Sequence, residues 1–373
     1  SRIAREFAFG GPSFAISAEE GSGIRALGVG LQALRQHDMD AVVVGAVDLP
    51  GDVRAMLATH AVRPFSSRGE VRPFDEAADG TLIGEGAATL VLKRLPDAVA
   101  AGNRIYAVIR GLGFAGGTAP VPDRDTYQCA LERAYADAHV APGRVSYLET
   151  HGSGCPAEDR VEAEALSAFF GPGDGPGDEP ACAIGSAKPT IGHTGAAAGL
   201  ASVVKTAICL YQEIVPPLRG FRQPSAPDPW STGLFHMPIR PHAWLRDRAD
   251  GPRCAGVSVM TSDGGCAHVV MEGVEHHAEV YAAERRQPLG SHAQALFGVR
   301  GSDTAELLAG LDGLRRLADG GHGDHEAQGG PSRHGRHDDI EHLARRAHTQ
   351  RASDVSPGPL AVAILANDPD DLR

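Results

Sequence analysis

Gly11-Pro12-Ser13-Phe14-Ala15-Ile16-Ser17-Ala18-Glu19-Glu20-Gly21-Ser22-Gly23 reads as a short apolar strand, a sharp turn and the start of a helix. The helix continues through Ile24, Leu27, Leu31 and Leu34, whose spacing keeps one apolar face. A side chain on such a turn lies at a helix N-terminus, where unpaired backbone N–H groups favour negative charge. A cysteine there would be a nucleophilic thiolate. The position carries Glu20 instead, and the first cysteine of the chain is Cys129. Taken alone, Glu19 and Glu20 need no account beyond the helix dipole, worth a few tenths to about 1 kcal/mol.

Outward from this turn, Ala41 to Val47 reads as a buried strand, followed by strands at Gly86 to Leu95, Ile105 to Gly113 and Val145 to Glu149. Helical patterns lie between them, at Tyr127 to Ala138 and Val161 to Phe170. Gly171 to Pro180 is a surface loop, and strands around Gly256-Val257-Ser258 and Ala267 to Met271 close the first domain. Buried strands alternating with amphipathic helices predict an α/β layered fold.

Beyond Glu272 the composition changes. Ala282 to Arg286 is charged, Ala295 to Val299 reads as a strand and Thr304 to Ala318 as an amphipathic helix. Residues 320–339, rich in Gly, His, Asp and Arg, have no core-forming pattern and read as a disordered insertion, a solvated linker rather than a metal site. Helix Ile340 to His348 and strand Leu360 to Leu365 follow, and Asn367 to Leu372 opens another helix. The expected domains are therefore 1–275 and 276–373.

With 373 residues the chain has length enough for one large or two modest cores. A net charge of −12 argues against nucleic-acid binding, which needs clustered Lys and Arg. The six cysteines lack metal-ligand spacing and read as reduced thiols of a cytoplasmic protein. No run of about 18 apolar residues predicts a membrane span. Ser1 is not an initiator Met and Phe7 already leads into the turn, so a fragment of a larger polypeptide is expected.

Four blocks, in order, carry a family resemblance. Gly11 to Gly23 resembles the nucleophile turn of β-ketoacyl synthases, G-P-S-F-x-x-D-T-A-C-S-S-G, with Glu20 on the cysteine. Pro73-Phe74-Asp75 and Gly84-Glu85-Gly86 resemble the P-F-D…G-E-G loop. Glu149 to Gly154, with Glu162 to Leu166, resembles E-A-H-G-T-G…E-A-E-A-L and supplies His151. Gly185 to Thr194 resembles G-S-x-K-x-x-I-G-H-T and supplies Lys188 and His193.

The resemblance implies a thiolase-like fold, partial because its N-terminal portion is missing, then a small α/β linker domain leading to a downstream acyltransferase. It implies no bound cofactor and no metal: the substrate arrives on the phosphopantetheine of an acyl carrier protein. In the family the cysteine takes the acyl chain, the two histidines stabilise the oxyanion formed as malonyl-carrier loses CO2, and the lysine fixes the local charge. His151, His193 and Lys188 fit those roles; Glu20 does not fit the cysteine's.

The run Thr261-Ser262-Asp263-Gly264-Gly265-Cys266-Ala267-His268-Val269 resembles G-F-G-G-T-N-A-H-V, with Ser262 replacing the gating phenylalanine. Cys266 and Cys155 read as packing residues, His268 as structural, and Asp75, Asp79 and Glu85 as loop anchors. The resulting expectation is a non-elongating, chain-length-factor-like domain of a polyunsaturated fatty acid or iterative polyketide synthase. It would shape the acyl tunnel beside a ketosynthase-like partner or a second copy, with malonyl decarboxylation as a retained activity. The alternative is an active condensing enzyme.

Overall fold

The computed structural model describes residues 2–117, 122–171, 182–225, 234–246, 250–274, 295–320, 340, 343, 344, 346–348, 359–367 and 369–372. The chain divides into two compact units, Ser1–His276 and His277–Arg373. The first begins with α1 (Arg2–Glu6), α2 (Ser22–Arg35), β1 (Ala41–Asp48), α3 (Val53–Val62), β2 (Gly86–Lys93) and α4 (Leu95–Ala100). Next come β3 (Val108–Gly116), α5 (Arg124–Ala138), β4 (Val145–Glu149), α6 (Pro156–Phe170), β5 (Cys182–Gly185), α7 (Lys188–Ile191) and α8 (Ala198–Gln212). Short strands β6 (Ile214–Val215), β7 (Phe235–His236) and β8 (His242–Ala243) precede β9 (Cys254–Met260) and β10 (Gly265–Glu272).

A six-stranded mixed sheet organises this unit, in the order β3-β10-β9-β4-β5-β7. Strands β9, β4, β5 and β7 run parallel, and β10 is antiparallel to both β9 and β3. All seven residues of β9 are buried, as expected of a strand covered on both faces. On one face Leu148, Ile184 and Val270 pack with Leu131 and Tyr135 of α5 and Leu166 of α6. On the other, Tyr147, Val257 and Val269 pack with Ile24 and Leu27 of α2 and Leu200 of α8. The strand β3 lies so close under α5 that a Cβ at Gly113 would stand 2.2 Å from the Ala130 carbonyl oxygen.

Two expected elements differ. The stretch Gly11 to Ser17 forms no strand: Phe14 is 67% exposed and no described strand pairs with it. Apolar composition favours a strand, but only a partner ladder makes one. The strand expected at Ile105 to Gly113 runs Val108–Gly116, because its ends follow the register Glu272↔Val108 to Gly265↔Gly116 against β10. By contrast, β4 begins and ends where its sequence places it.

In the second unit β11 (Ala295–Gly301) pairs antiparallel with β12 (Leu360–Ala366), and α9 (Thr304–Gly320) supplies Leu314 and Ala318 to a core with Phe297, Val299 and Ile340. Pro369–Leu372 forms a 3-10 turn where a longer helix start is expected. Residues 321–339, nearly all of the expected insertion, lie outside the described residues, as do Ala282 to Arg286 and most of the loop at 171–180. No helix among the described residues is long and apolar enough to cross a membrane.

Candidate active site

Glu20 lies in a 3-10 turn, Glu19–Gly21, directly ahead of α2. Glu19 has a positive φ of 47°, so the chain turns sharply before the helix begins. Both Glu20 oxygens are engaged outside α2. Oε1 accepts from Arg63 Nη1 at 2.7 Å, and Oε2 accepts from the Ser262 backbone N–H at 2.9 Å. The helix dipole alone is therefore an insufficient account of this carboxylate.

Arg63 follows α3 and is 2% exposed. Its Nε donates to both oxygens of Glu158, at 2.8 and 3.0 Å, and Nη1 stands 3.1 Å from His193 Nε2. Burial by itself would lower the guanidinium pKa, but Glu158 and Glu20 outweigh it and raise the value. Burial would likewise raise the Glu158 pKa; contact with His151 and the charge of Arg63 instead hold it well below the usual carboxylate range.

The histidine loops start from the ends of β4 and β5. Glu162, on α6, accepts from the N–H groups of His151 and Gly152, each at 2.8 Å, and from the Tyr127 hydroxyl at 2.6 Å. This carboxylate therefore fixes the backbone of the first loop. At the second, His193 N–H donates to the Leu82 carbonyl at 2.7 Å and Gly84 N–H donates to the His193 carbonyl at 3.0 Å. Position 84 needs a glycine for this contact, since a Cβ there would lie 2.1 Å from the Ile191 oxygen. Asp75 accepts from the N–H groups of Arg222 and Gln223, and Asp79 from Ser66 and Ser67, which makes both loop anchors. Glu85, expected to join them, is exposed.

The imidazole rings of His151 and His193 meet edge to face with centroids 5.5 Å apart. Burial, followed by the charge of Lys188, lowers His151 to about 3 and His193 well below its ordinary value. Both rings are neutral near pH 7. His151 Nδ1 accepts from Met260 N–H at 3.2 Å, which puts its proton on Nε2, 3.4 Å from Glu158 Oε2. For His193, Gly195 N–H addresses Nδ1 at 3.2 Å while Arg63 addresses Nε2. A neutral imidazole has one acceptor nitrogen, so only one of these bonds forms at a time, and the charged donor is the stronger. Lys188 Nζ donates to the His151 carbonyl oxygen; burial lowers its ammonium to about 8, against the pull of Glu162.

Glu20, His151, Lys188 and His193 thus line one gap, with Ser202 and Met260 on its wall and no room for a water molecule between them. Cys266 lies apart on β10, and Cys155 caps α6. Burial raises both thiols, Cys155 to about 12, so neither is a thiolate near neutral pH. His268 Nδ1 is 2.9 Å from Ser258 Oγ and its ring stacks on Tyr135, a packing arrangement. Among the described residues no group of three His, Cys, Asp or Glu is placed to hold a metal.

The comparisons with known proteins match this architecture. Residues 1–98 match the family model for the β-ketoacyl synthase N-terminal domain and residues 106–222 that for the β-ketoacyl synthase C-terminal domain. The chain belongs to the β-ketoacyl synthase family. It is 36% identical over 318 residues to a phenolphthiocerol/phthiocerol polyketide synthase of Mycobacterium tuberculosis, covering 83% of this chain and 20% of that one. Identity to a polyunsaturated fatty acid synthase of Thraustochytrium sp. is 34% over 323 residues, covering 83% and 12%. Among solved structures, the module 6 ketosynthase of the bacillaene synthase from Bacillus subtilis 168 superposes with a TM-score of 0.68 at 27% identity, covering all of this chain and 60% of that one. The PfaC keto synthase–chain length factor does so with a TM-score of 0.64 at 30% identity, covering 73% and 29%. The fold is thiolase-like, and the chain spans only a fifth or less of these two curated relatives.

Arg63 and Glu158 are the residues that sequence reading misses. Arg63 follows an ordinary helix and precedes Pro64, where an arginine reads as solvated. Its partners lie 43 and 95 residues away, so no local pattern announces it. Ser262 stands out in the sequence as a lost phenylalanine, but it is its backbone N–H that reaches Glu20.

Proposed function

We propose that this is a non-elongating ketosynthase-family domain of a fatty acid or polyketide synthase, with a chain-length-factor-like role in shaping the acyl tunnel. The observation that carries the reading is the Glu20–Arg63 pair at the nucleophile turn. A carboxylate is a poor acceptor from a thioester because the acyl anhydride formed lies uphill. One held by a guanidinium and a backbone N–H is poorer still, since its lone pairs are engaged. The likeness to the Thraustochytrium synthase and to the PfaC keto synthase–chain length factor supports this kind of assembly. In this reading an acyl carrier protein presents substrate on phosphopantetheine, and a ketosynthase-like partner or second copy completes the tunnel. Residues 276–373 link it to an acyltransferase, and the whole is cytoplasmic.

A second reading is favoured by the facing neutral imidazoles. Malonyl thioester would lose CO2 and its enolate would take up a proton to give the acetyl thioester, with His151 and His193 stabilising the oxyanion once Arg63 has released His193 Nε2. Intact-protein mass spectrometry after incubation with acyl- and malonyl-carrier protein, with CO2 followed alongside, separates the cases. The non-elongating role predicts no acyl adduct. Decarboxylation predicts CO2 release that collapses in His151→Ala and His193→Ala. A stable adduct on this chain would overturn both in favour of condensation.

A further inference from the structure

We propose that Arg63 builds a carboxylate-binding site at the nucleophile turn, and that Glu20 is its resident, tethered occupant. This deepens the non-elongating reading, and its biological meaning rests on that reading. The geometry is that of a ligand in a receptor. Two donors from separate parts of the chain, Arg63 Nη1 and Ser262 N–H, each take one oxygen of the same carboxylate. The receptor side is buried and prearranged: the Arg63 side chain is 2% exposed, and Glu158 braces it through Nε. Its Nη2 is buried with no hydrogen-bond partner among the described residues, a further donor the site leaves unused. The occupant is the more exposed side of the pair, since the Glu20 side chain keeps 17% exposure.

Such a site takes a small carboxylate, and its chemistry would equally take the free carboxylate of a malonyl-type thioester. Tethering gives Glu20 a high effective concentration that outcompetes a free anion. The same guanidinium addresses His193 Nε2 and occupies the lone pair there. The occupied site therefore shuts out malonyl carboxylate, which favours the non-elongating role over the decarboxylating one.

Acetate replaces the atoms that Glu20→Ala deletes, and acetamide is its neutral counterpart. With the full chain at constant ionic strength, calorimetric titration should show no acetate binding to the wild type and saturable millimolar binding to Glu20→Ala. Acetamide should not bind, and adding Arg63→Gln should weaken acetate by about tenfold or more. Equal binding of acetate and acetamide, no binding to Glu20→Ala, or undiminished binding in the double variant would overturn the proposal. Should Glu20→Ala fail to fold, Glu20→Cys decides it. Its alkylation rate against pH should give a thiol pKa that rises by at least about one unit on adding Arg63→Gln, a shift the helix N-terminus does not produce. A thiol at position 20 whose pKa Arg63→Gln leaves unchanged refutes the site. These outcomes are independent of the acyl-adduct experiment: acetate binding can fail while the wild type still forms no adduct, and the reverse.

Discussion

The histidine loops and the nucleophile turn share one gap but rest on different supports. Glu162 grips the backbone at His151 and Gly152, and the 82–84 segment brackets the backbone of His193. These supports are indifferent to the side chain at position 20. At the turn, the Glu20 carboxylate is shared between the Ser262 N–H and another side chain, Arg63, which Glu158 braces in turn. A site supported in these two ways can change its nucleophile while its histidine loops keep their form, provided the new charge is met by a counter-charge.

The largest effect should come from breaking the turn's support. Arg63→Gln leaves Glu20 and Glu158 without their cation, and removing one member of a buried ion pair costs about 3–5 kcal/mol. Urea unfolding of Arg63→Gln, Glu20→Gln and the double variant would measure it. The double variant should lose less than the sum of the two single changes, because the pair is coupled. Strict additivity would mean that Arg63 serves Glu158 alone.

Breaking the loop's support should cost less. Glu162→Gln turns an amide nitrogen toward a backbone N–H or the Tyr127 hydroxyl where an oxygen now accepts, leaving one or two buried donors unmet, about 1–3 kcal/mol. The same unfolding measurement reads it. A loss as large as that of Arg63→Gln would remove the distinction between the two supports.

That distinction also explains what was legible in the sequence. The loops were readable because backbone anchoring needs particular residue types inside short local blocks: the glycine of Gly84-Glu85-Gly86, which lies under the Ile191 carbonyl, and Glu162 eleven residues after His151. Those requirements leave motifs, and Glu20, His151, Lys188 and His193 do meet in one gap as their blocks imply. The interior strand β9 was readable for a local reason too, since it is a nearly continuous apolar run. Arg63 was not, because a buried arginine is defined only by partners distant in the chain. The bounds of β3 were not either, since its partner β10 comes much later in the chain and sets them: Glu272 pairs with Val108.

The smallest effect separates the histidines from the charges around them. The folded pKa of His151, about 3, lies below the ordinary value, so its neutral form contributes stability that is present above about pH 6.5 and lost as pH falls towards 3. Between pH 7 and 6 an unfolded imidazole takes up about half a proton that the buried ring refuses, or roughly 0.7 kcal/mol. Asp159, pushed up to about 8 by burial, acts with the opposite sign over that interval, so the wild-type slope alone is ambiguous. The difference between wild type and His151→Gln isolates the ring. Stability of the wild type relative to the variant should fall by about 0.7 kcal/mol from pH 7 to pH 6. A flat difference would mean that His151 protonates in place, drawing on Glu158 Oε2 only 3.4 Å away. Glu158 would then serve the imidazole as well as Arg63, and the two supports of the site would be joined through that one carboxylate.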